Sequence, residues 1–114
     1  MADILTPQQV IHHLATLGKE LDQTVELLYK AERSAIDTRK TFERDWAQAF
    51  LEAQGSVDAK KAQARLETIE AWEAAELADV EVRYLRRRID AVSSRIDIGR
   101  SYGAAVRAEI GLAR

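Results

Sequence analysis

Between Pro7 and Gln54 the chain carries no strong helix breaker, and its apolar and small residues recur alternately four and three apart. The series is Val10, Leu14, Leu17, Leu21, Thr24, Leu28, Ala31, Ala35, Thr38 and Phe42. That spacing keeps one stripe on one side of an α-helix and is incompatible with the period of two of a strand. With Leu14 at heptad position a, Leu21, Leu28, Ala35, Phe42 and Ala49 also fall at a. The d series fades from Val10 and Leu17 to Thr24, Ala31, Thr38 and Asp45, and the stripe drifts onto Trp46, Ala49, Phe50 and Ala53. Such drift is expected when 3.6 residues per turn meets a repeat of 3.5.

The helix has a defined start. Thr6-Pro7-Gln8-Gln9 places a capping hydroxyl at Thr6, Pro at the first helical position and Gln9 where a capping-box partner belongs. The one strong stop is Gly55-Ser56. Gly55 suits the left-handed residue that ends a helix, and Ser56 suits the N-cap of the next, with Asp58 in its first turn. The reading is a single all-α domain over residues 1–114: helix 1 at about 7–54, a turn at 55–56, and helix 2 at about 57–110.

Composition agrees. The 114 residues include 1 Pro, 5 Gly and no Cys, which excludes a disulfide scaffold, a Cys-ligated zinc site and a chain of many short strands. Charged residues make up 32%, as in long helices and coiled coils. No run approaches the ~18 apolar residues of a membrane span, and the N-terminal stretch has no basic region leading into an apolar core. The expectation is a cytoplasmic protein that does not contact membranes.

Helix 2 shows two overlapping stripes. One is Ala62, Leu66, Ile69, Leu77, Val80 and Tyr84; the other is Val82, Leu85, Ile89, Val92, Ile96, Gly99, Gly103, Val106 and Ile110. An antiparallel hairpin closed at Gly55-Ser56 sets Phe42 opposite Ile69, Ala49 opposite Ala62, Leu28 opposite Val82 to Tyr84, and Leu14 opposite Ile96 to Ile98. Ala31 to Ala35 then face Ala74, Ala75 and Ala78. Helix 1 would be roughly 70 Å long at ~1.5 Å per residue, so the expected object is a rod.

A two-helix rod has no third layer to cover its outer faces. Ile11, Val25, Leu27, Tyr29, Ile36 and Phe50 on helix 1, and Trp72, Tyr84 and Tyr102 on helix 2, lie outside the seam. Large apolar residues beside a heptad seam point to further neighbours. The expectation is a homo-oligomer, with a dimer forming a four-helix bundle as its simplest form. Ile11, Val25, Tyr29, Ile36, Phe50, Trp72 and Tyr84 are its candidate interface. A fold-back into three helices, broken at Gly99 or Gly103, is the alternative.

Signals for catalysis, metals or cofactors are thin. His12 and His13 are adjacent and point ~100° apart on a helix, so they cannot share a metal by helical spacing. Glu67, Glu70, Glu73 and Glu76 lie three apart with no His beside them, as on a solvated acidic face. Ser56 has no preceding strand and no His partner for nucleophilic chemistry. No phosphate-cradling glycine loop is present. No cofactor and no enzymatic activity are expected.

The net charge of −2 hides a gradient: residues 1–57 sum to −3, residues 58–82 to −4 and residues 83–114 to +5. With Ile89 at a, Arg86, Arg100, Arg107 and Arg114 fall at e, and Arg88 and Arg95 at g. Positions e and g select partners in coiled coils. Three readings fit this row: a solvated face partly paired with Asp22 and Glu26, docking onto an acidic protein, or sequence-nonspecific contact with nucleic-acid phosphates. Arg86, Arg88, Arg95, Arg100 and Arg107 are the candidate partner- or phosphate-binding residues.

The run Ala49-Phe50-Leu51-Glu52-Ala53-Gln54-Gly55-Ser56-Val57, with Lys60, Ala62 and Ala64, resembles a recurrent small helical-hairpin protein of temperate phages and prophages. Arg87-Arg88-Ile89, Arg95 through Ser101 and Ala104 through Glu109 resemble the same family, over roughly residues 42–109. The resemblance implies a gene among early phage genes, near single-strand annealing recombinases and exonucleases. It assigns no activity to individual residues. The function expected is a non-enzymatic, self-associating accessory module that serves phage recombination or replication or acts on a host protein. A nucleic-acid-binding accessory and a virion structural or assembly component are the alternatives.

Overall fold

The structure, a computed structural model, describes residues 5–112; Arg114 of the basic row lies outside the described residues. Among these the chain is all-α, with α1 at Pro7–Glu52, α2 at Val57–Glu67 and α3 at Ile69–Leu112. None of these helices is long and apolar enough to cross a membrane.

The helix ends follow local chemistry. The Thr6 backbone N–H donates to Gln9 Oε1 at 2.8 Å, and the Gln9 N–H donates to Thr6 Oγ1 at 3.2 Å. This reciprocal box satisfies two donors that the first turn leaves without partners. Gly55 adopts φ of 107°, where a side chain is strained, and an added Cβ would also lie 3.3 Å from that of Ala59. Ser56 Oγ then accepts from the Ala59 N–H at 3.1 Å and starts α2.

The sequence predicts one helix from about 57 to 110, but it is divided at Thr68, which has φ −114° and ψ 16°. The Thr68 N–H and hydroxyl both donate to the Ala64 carbonyl, at 3.1 and 2.7 Å, and the Trp72 N–H still donates to the Thr68 carbonyl at 2.9 Å. The same hydroxyl back-bond at Thr16, Thr24 and Thr38 leaves α1 unbroken, so at Thr68 it accompanies the division rather than explaining it, and the hydrogen-bond ladder continues across. Gly99 and Gly103, the expected alternative break, stay helical. They serve close packing instead: a Cβ would lie 2.8 Å from Leu14 Cδ2 at Gly99 and 3.1 Å from Val10 Cγ1 at Gly103.

The chain forms two compact units. Unit 1 takes the residues up to Leu27 and those from Leu85 onward; unit 2 is Leu28–Tyr84. In unit 1, α1 and α3 run antiparallel, with Leu14 against Gly99 and Val10 against Gly103. The contact at Leu14 lies one residue beyond the expected Ile96–Ile98. Val10, Leu17 and Thr24 are buried from α1, and Leu85, Val92 and Val106 from α3.

In unit 2, α1 runs antiparallel to α3, with Arg39 reaching Glu76 and Asp79. The α1 stripe is where its spacing puts it: Leu28, Ala31, Ala35, Thr38 and Phe42 are half-buried, and Ala49 and Ala53 are buried. The second strand of the seam needs correction. Ala62, Leu66, Ile69, Leu77, Val80 and Tyr84 are all exposed, Leu66 at 74%. The buried or half-buried uncharged positions are Ala64, Thr68, Ala71, Ala75, Ala78 and Val82. They share the four-three spacing of Leu85, Ile89 and Val92 that follows, and the expected stripe is offset from them by two residues, ~200° around the helix. Small side chains form the contact because they let the two backbones approach.

This core makes an inverted prediction by size. Ala75 is 0% exposed. Ala75→Leu should overpack the seam and cost ~1–3 kcal/mol in urea unfolding, while Leu66→Ala should stay within ~0.5 kcal/mol. Gly18 has no atom within 4 Å of an added Cβ, so Gly18→Ala should stabilise by ~0.5–1 kcal/mol.

Candidate interaction surfaces

In unit 2 the α1 positions Tyr29, Glu32, Ile36, Arg39, Glu43, Trp46 and Phe50 follow three-four spacing and form a second stripe beside the seam. Tyr29 and Ile36 are 57% and 60% exposed. Arg39, Phe42 and Trp46 meet Arg65, Thr68, Ile69 and Trp72 around an apolar groove of about 490 Å³. The division at Thr68 therefore lies in the wall of the groove.

Arg39 fixes one side of this groove. Its Nη2 donates to Asp79 Oδ2 at 2.8 Å and to Glu76 Oε1 at 3.1 Å, and its guanidinium lies 5.9 Å from the Phe42 ring centroid. The hydrogen bond to Asp79, then that to Glu76, hold the guanidinium above its ordinary pKa. Trp46 stacks on Phe50 with centroids 5.4 Å apart and planes 12° apart, and Lys60 Nζ lies 5.8 Å from the same Phe50 ring. Phe50 is half-buried, unlike the rest of the expected interface set. Arg65 makes no ion pair among the described residues.

The expected interface residues do not form one patch. Trp72 lines the groove, Phe50 supports it through Trp46, and Tyr29 and Ile36 continue its α1 side. Tyr84 belongs to the other exposed face of α3, with Leu77 and Val80. Ile11 and Val25, 65% and 50% exposed, belong to unit 1.

The arginine row divides as well. Arg88 Nη2 donates to Glu20 Oε1 at 2.7 Å, within unit 1, and Arg86 also has a partner. Arg95, Arg100 and Arg107 are exposed and make no ion pair among the described residues. Arg100 and Arg107 wall a groove of about 140 Å³ with Pro7, Val10, Ile11, Leu14 and Gly103. Arg95 joins Leu5, Val10, His13, Ile98, Gly99 and Tyr102 around one of about 230 Å³, where Tyr102 Oη accepts from the Leu5 N–H at 3.0 Å. Paired or not, a given arginine depends on which helix-1 residue lies across from it. Glu20 stands opposite Arg88, whereas Pro7 to Leu14 supply no acid opposite Arg100 and Arg107.

Among the described residues no group of His, Asp and Glu is arranged to hold a metal ion. Of the acid row, Glu76 pairs with Arg39 and Glu67 accepts from Gln63 Nε2 at 3.0 Å; Glu70 and Glu73 are exposed. The unit 2 groove was missed from sequence because the helical stripes assign no role to Arg39 or Arg65. The available signal was Arg39-x-x-Phe42-x-x-x-Trp46 beside the seam, opposite Arg65 and Trp72 seven apart. Comparison with protein-family models, curated proteins and solved structures yields no match.

The chain's 2 tryptophans, Trp46 and Trp72, both line this groove, so fluorescence excited selectively at tryptophan reports on it. Acrylamide should quench the emission of the dilute protein readily. Phe50→Ala should red-shift it by uncovering Trp46, while the far-ultraviolet circular dichroism stays helical.

Proposed function

We propose that this protein is a non-enzymatic helical interaction module that self-associates and docks onto a partner protein by helix-on-helix contact. One observation carries the reading: in unit 2 nothing larger than Val82 is buried, while Tyr29, Ile36, Leu66, Ile69, Trp72, Leu77, Val80 and Tyr84 are exposed. Exposed apolar side chains of this size, here on the groove side and on the opposite face, are the residue types of interaction surfaces. Aromatic and arginine anchors, here Trp72 and Trp46 beside Arg39 and Arg65, are the residue types that dominate such contacts.

The phage resemblance supplies a setting: an accessory protein acting in recombination or replication in the host cytoplasm, or on a host protein. Size-exclusion chromatography with light scattering tests the core of the proposal. A dimer, at about twice the 12.8 kDa chain mass, is the expected result, and Trp72→Ala should shift it toward monomer. A 12.8 kDa species at high concentration overturns self-association.

A second reading, phosphate binding to nucleic acid, is favoured by the three arginines without ion pairs among the described residues, Arg95, Arg100 and Arg107. Binding of this kind weakens steeply with salt and ignores sequence. A salt-series titration against single- and double-stranded DNA decides it, and no binding at low salt removes it.

A further inference from the structure

We infer that the groove of unit 2 pairs with the same groove of a second copy, as the core of a four-helix dimer. This rests on the self-association proposed above and names the surface that makes it. All the residues involved lie in unit 2. Six side chains set the pattern, three on each wall: Arg39, Phe42 and Trp46 from α1, and Arg65, Ile69 and Trp72 from α2 and α3. The walls run antiparallel and Arg39 reaches Glu76 and Asp79, so Arg39 and Trp72 share one end of the groove. Trp46 and Arg65 share the other end, with Phe42 and Ile69 between. Each end thus carries one arginine and one tryptophan, and the two arginines lie on a diagonal.

That diagonal makes the surface complementary to itself. A dimer closed by twofold symmetry brings one patch against its own copy. Whether the twofold axis runs along the helices or across them, each arginine lands on a tryptophan of the other copy. Phe42 and Ile69 meet apolar side chains in both cases. An arginine over an aromatic face is a favourable cation–π contact, best with tryptophan. Charge does not oppose the pairing. Arg39 is bonded to Glu76 and Asp79, so the +2 of the two arginines is balanced by −2 from the two carboxylates. A patch without net charge does not repel its copy, and it gives no preference to a strongly acidic or strongly basic partner. Arg65 makes no ion pair among the described residues and has an indole face to gain. Phe42 and Trp46 are half-buried, and Ile69 and Trp72 are exposed beside a seam of alanines. In the dimer these four become the large apolar layer that a four-helix core needs.

Light scattering and tryptophan emission, followed together over a concentration series, test this. The expected result is dimer mass, with emission moving to the blue as the dimer forms, because both tryptophans leave water. Dimer mass without a blue shift overturns the groove pairing and leaves self-association standing. Monomer mass at every concentration overturns both.

Variants read the contact itself, each checked for helicity by circular dichroism. Arg65→Gln should raise the dimer dissociation constant about tenfold, since symmetry removes two cation–π contacts per dimer, and Arg65→Lys should recover part of the loss. Ile69→Asp should leave monomer. Leu77→Asp, on the outer face of α3, should dimerise as the parent does. An Arg65→Gln dimer as tight as the parent's overturns the pairing. So does a Leu77→Asp variant weakened as much as Ile69→Asp.

Discussion

The close approach of small residues along the seam of unit 2 sets the terms for the rest of the protein. Ala64, Thr68, Ala71, Ala75 and Ala78 line α2 and α3, with Ala31, Ala35 and Thr38 on the α1 stripe. Small side chains let two helices approach, but each buried alanine removes little apolar area from water. At roughly 25 cal/mol per Å², this core contributes far less than one built from Leu and Phe. The large side chains that a hairpin would normally bury are on its outside instead. Unit 1 is packed more conventionally, with Leu17, Leu85, Val92 and Val106 buried, but it too uses two glycines to bring α3 against Val10 and Leu14.

Electrostatics is arranged around this economy of packing. Arg39 ties α1 to α3 through two carboxylates, Asp79 and Glu76, and covers part of the Phe42 ring. Exposed ion pairs contribute little individually. Their value here is orientation, because they hold one edge of the apolar groove in a defined place. Arg88 does the same across unit 1 with Glu20. The arginines further along α3 have no acid opposite them in the described residues, since the matching stretch of α1 carries Pro7, Ile11 and Leu14. A charge that the fold does not use is available for recognition.

Thr68 links packing to the groove. Its hydroxyl and backbone N–H share the Ala64 carbonyl at the point where α2 gives way to α3. The same residue lines the groove between Arg65 and Trp72. A local adjustment in backbone geometry therefore sits where this groove of unit 2 opens.

Except for the division at Thr68, residue spacing alone determined the helices, the starts of α1 and α2, the left-handed turn residue and the whole α1 stripe. Each of these is local: a capping hydroxyl, a positive φ at Gly55, or a four-three period that one helix must satisfy by itself. The second helix was less legible, because it carries two periodic stripes, one of small residues and one of large. Periodicity cannot choose between them, and ranking by size favours the wrong one. The hairpin register had already set Ala75 and Ala78 against Ala31 to Ala35; the tertiary structure added Ala64, Thr68 and Ala71 to the seam, since only small residues fit where the backbones lie close. That choice put Leu66, Leu77 and Val80 outside, and cross-helix contacts, which no single-helix pattern encodes, gathered Arg39, Trp46, Arg65 and Trp72 into one groove.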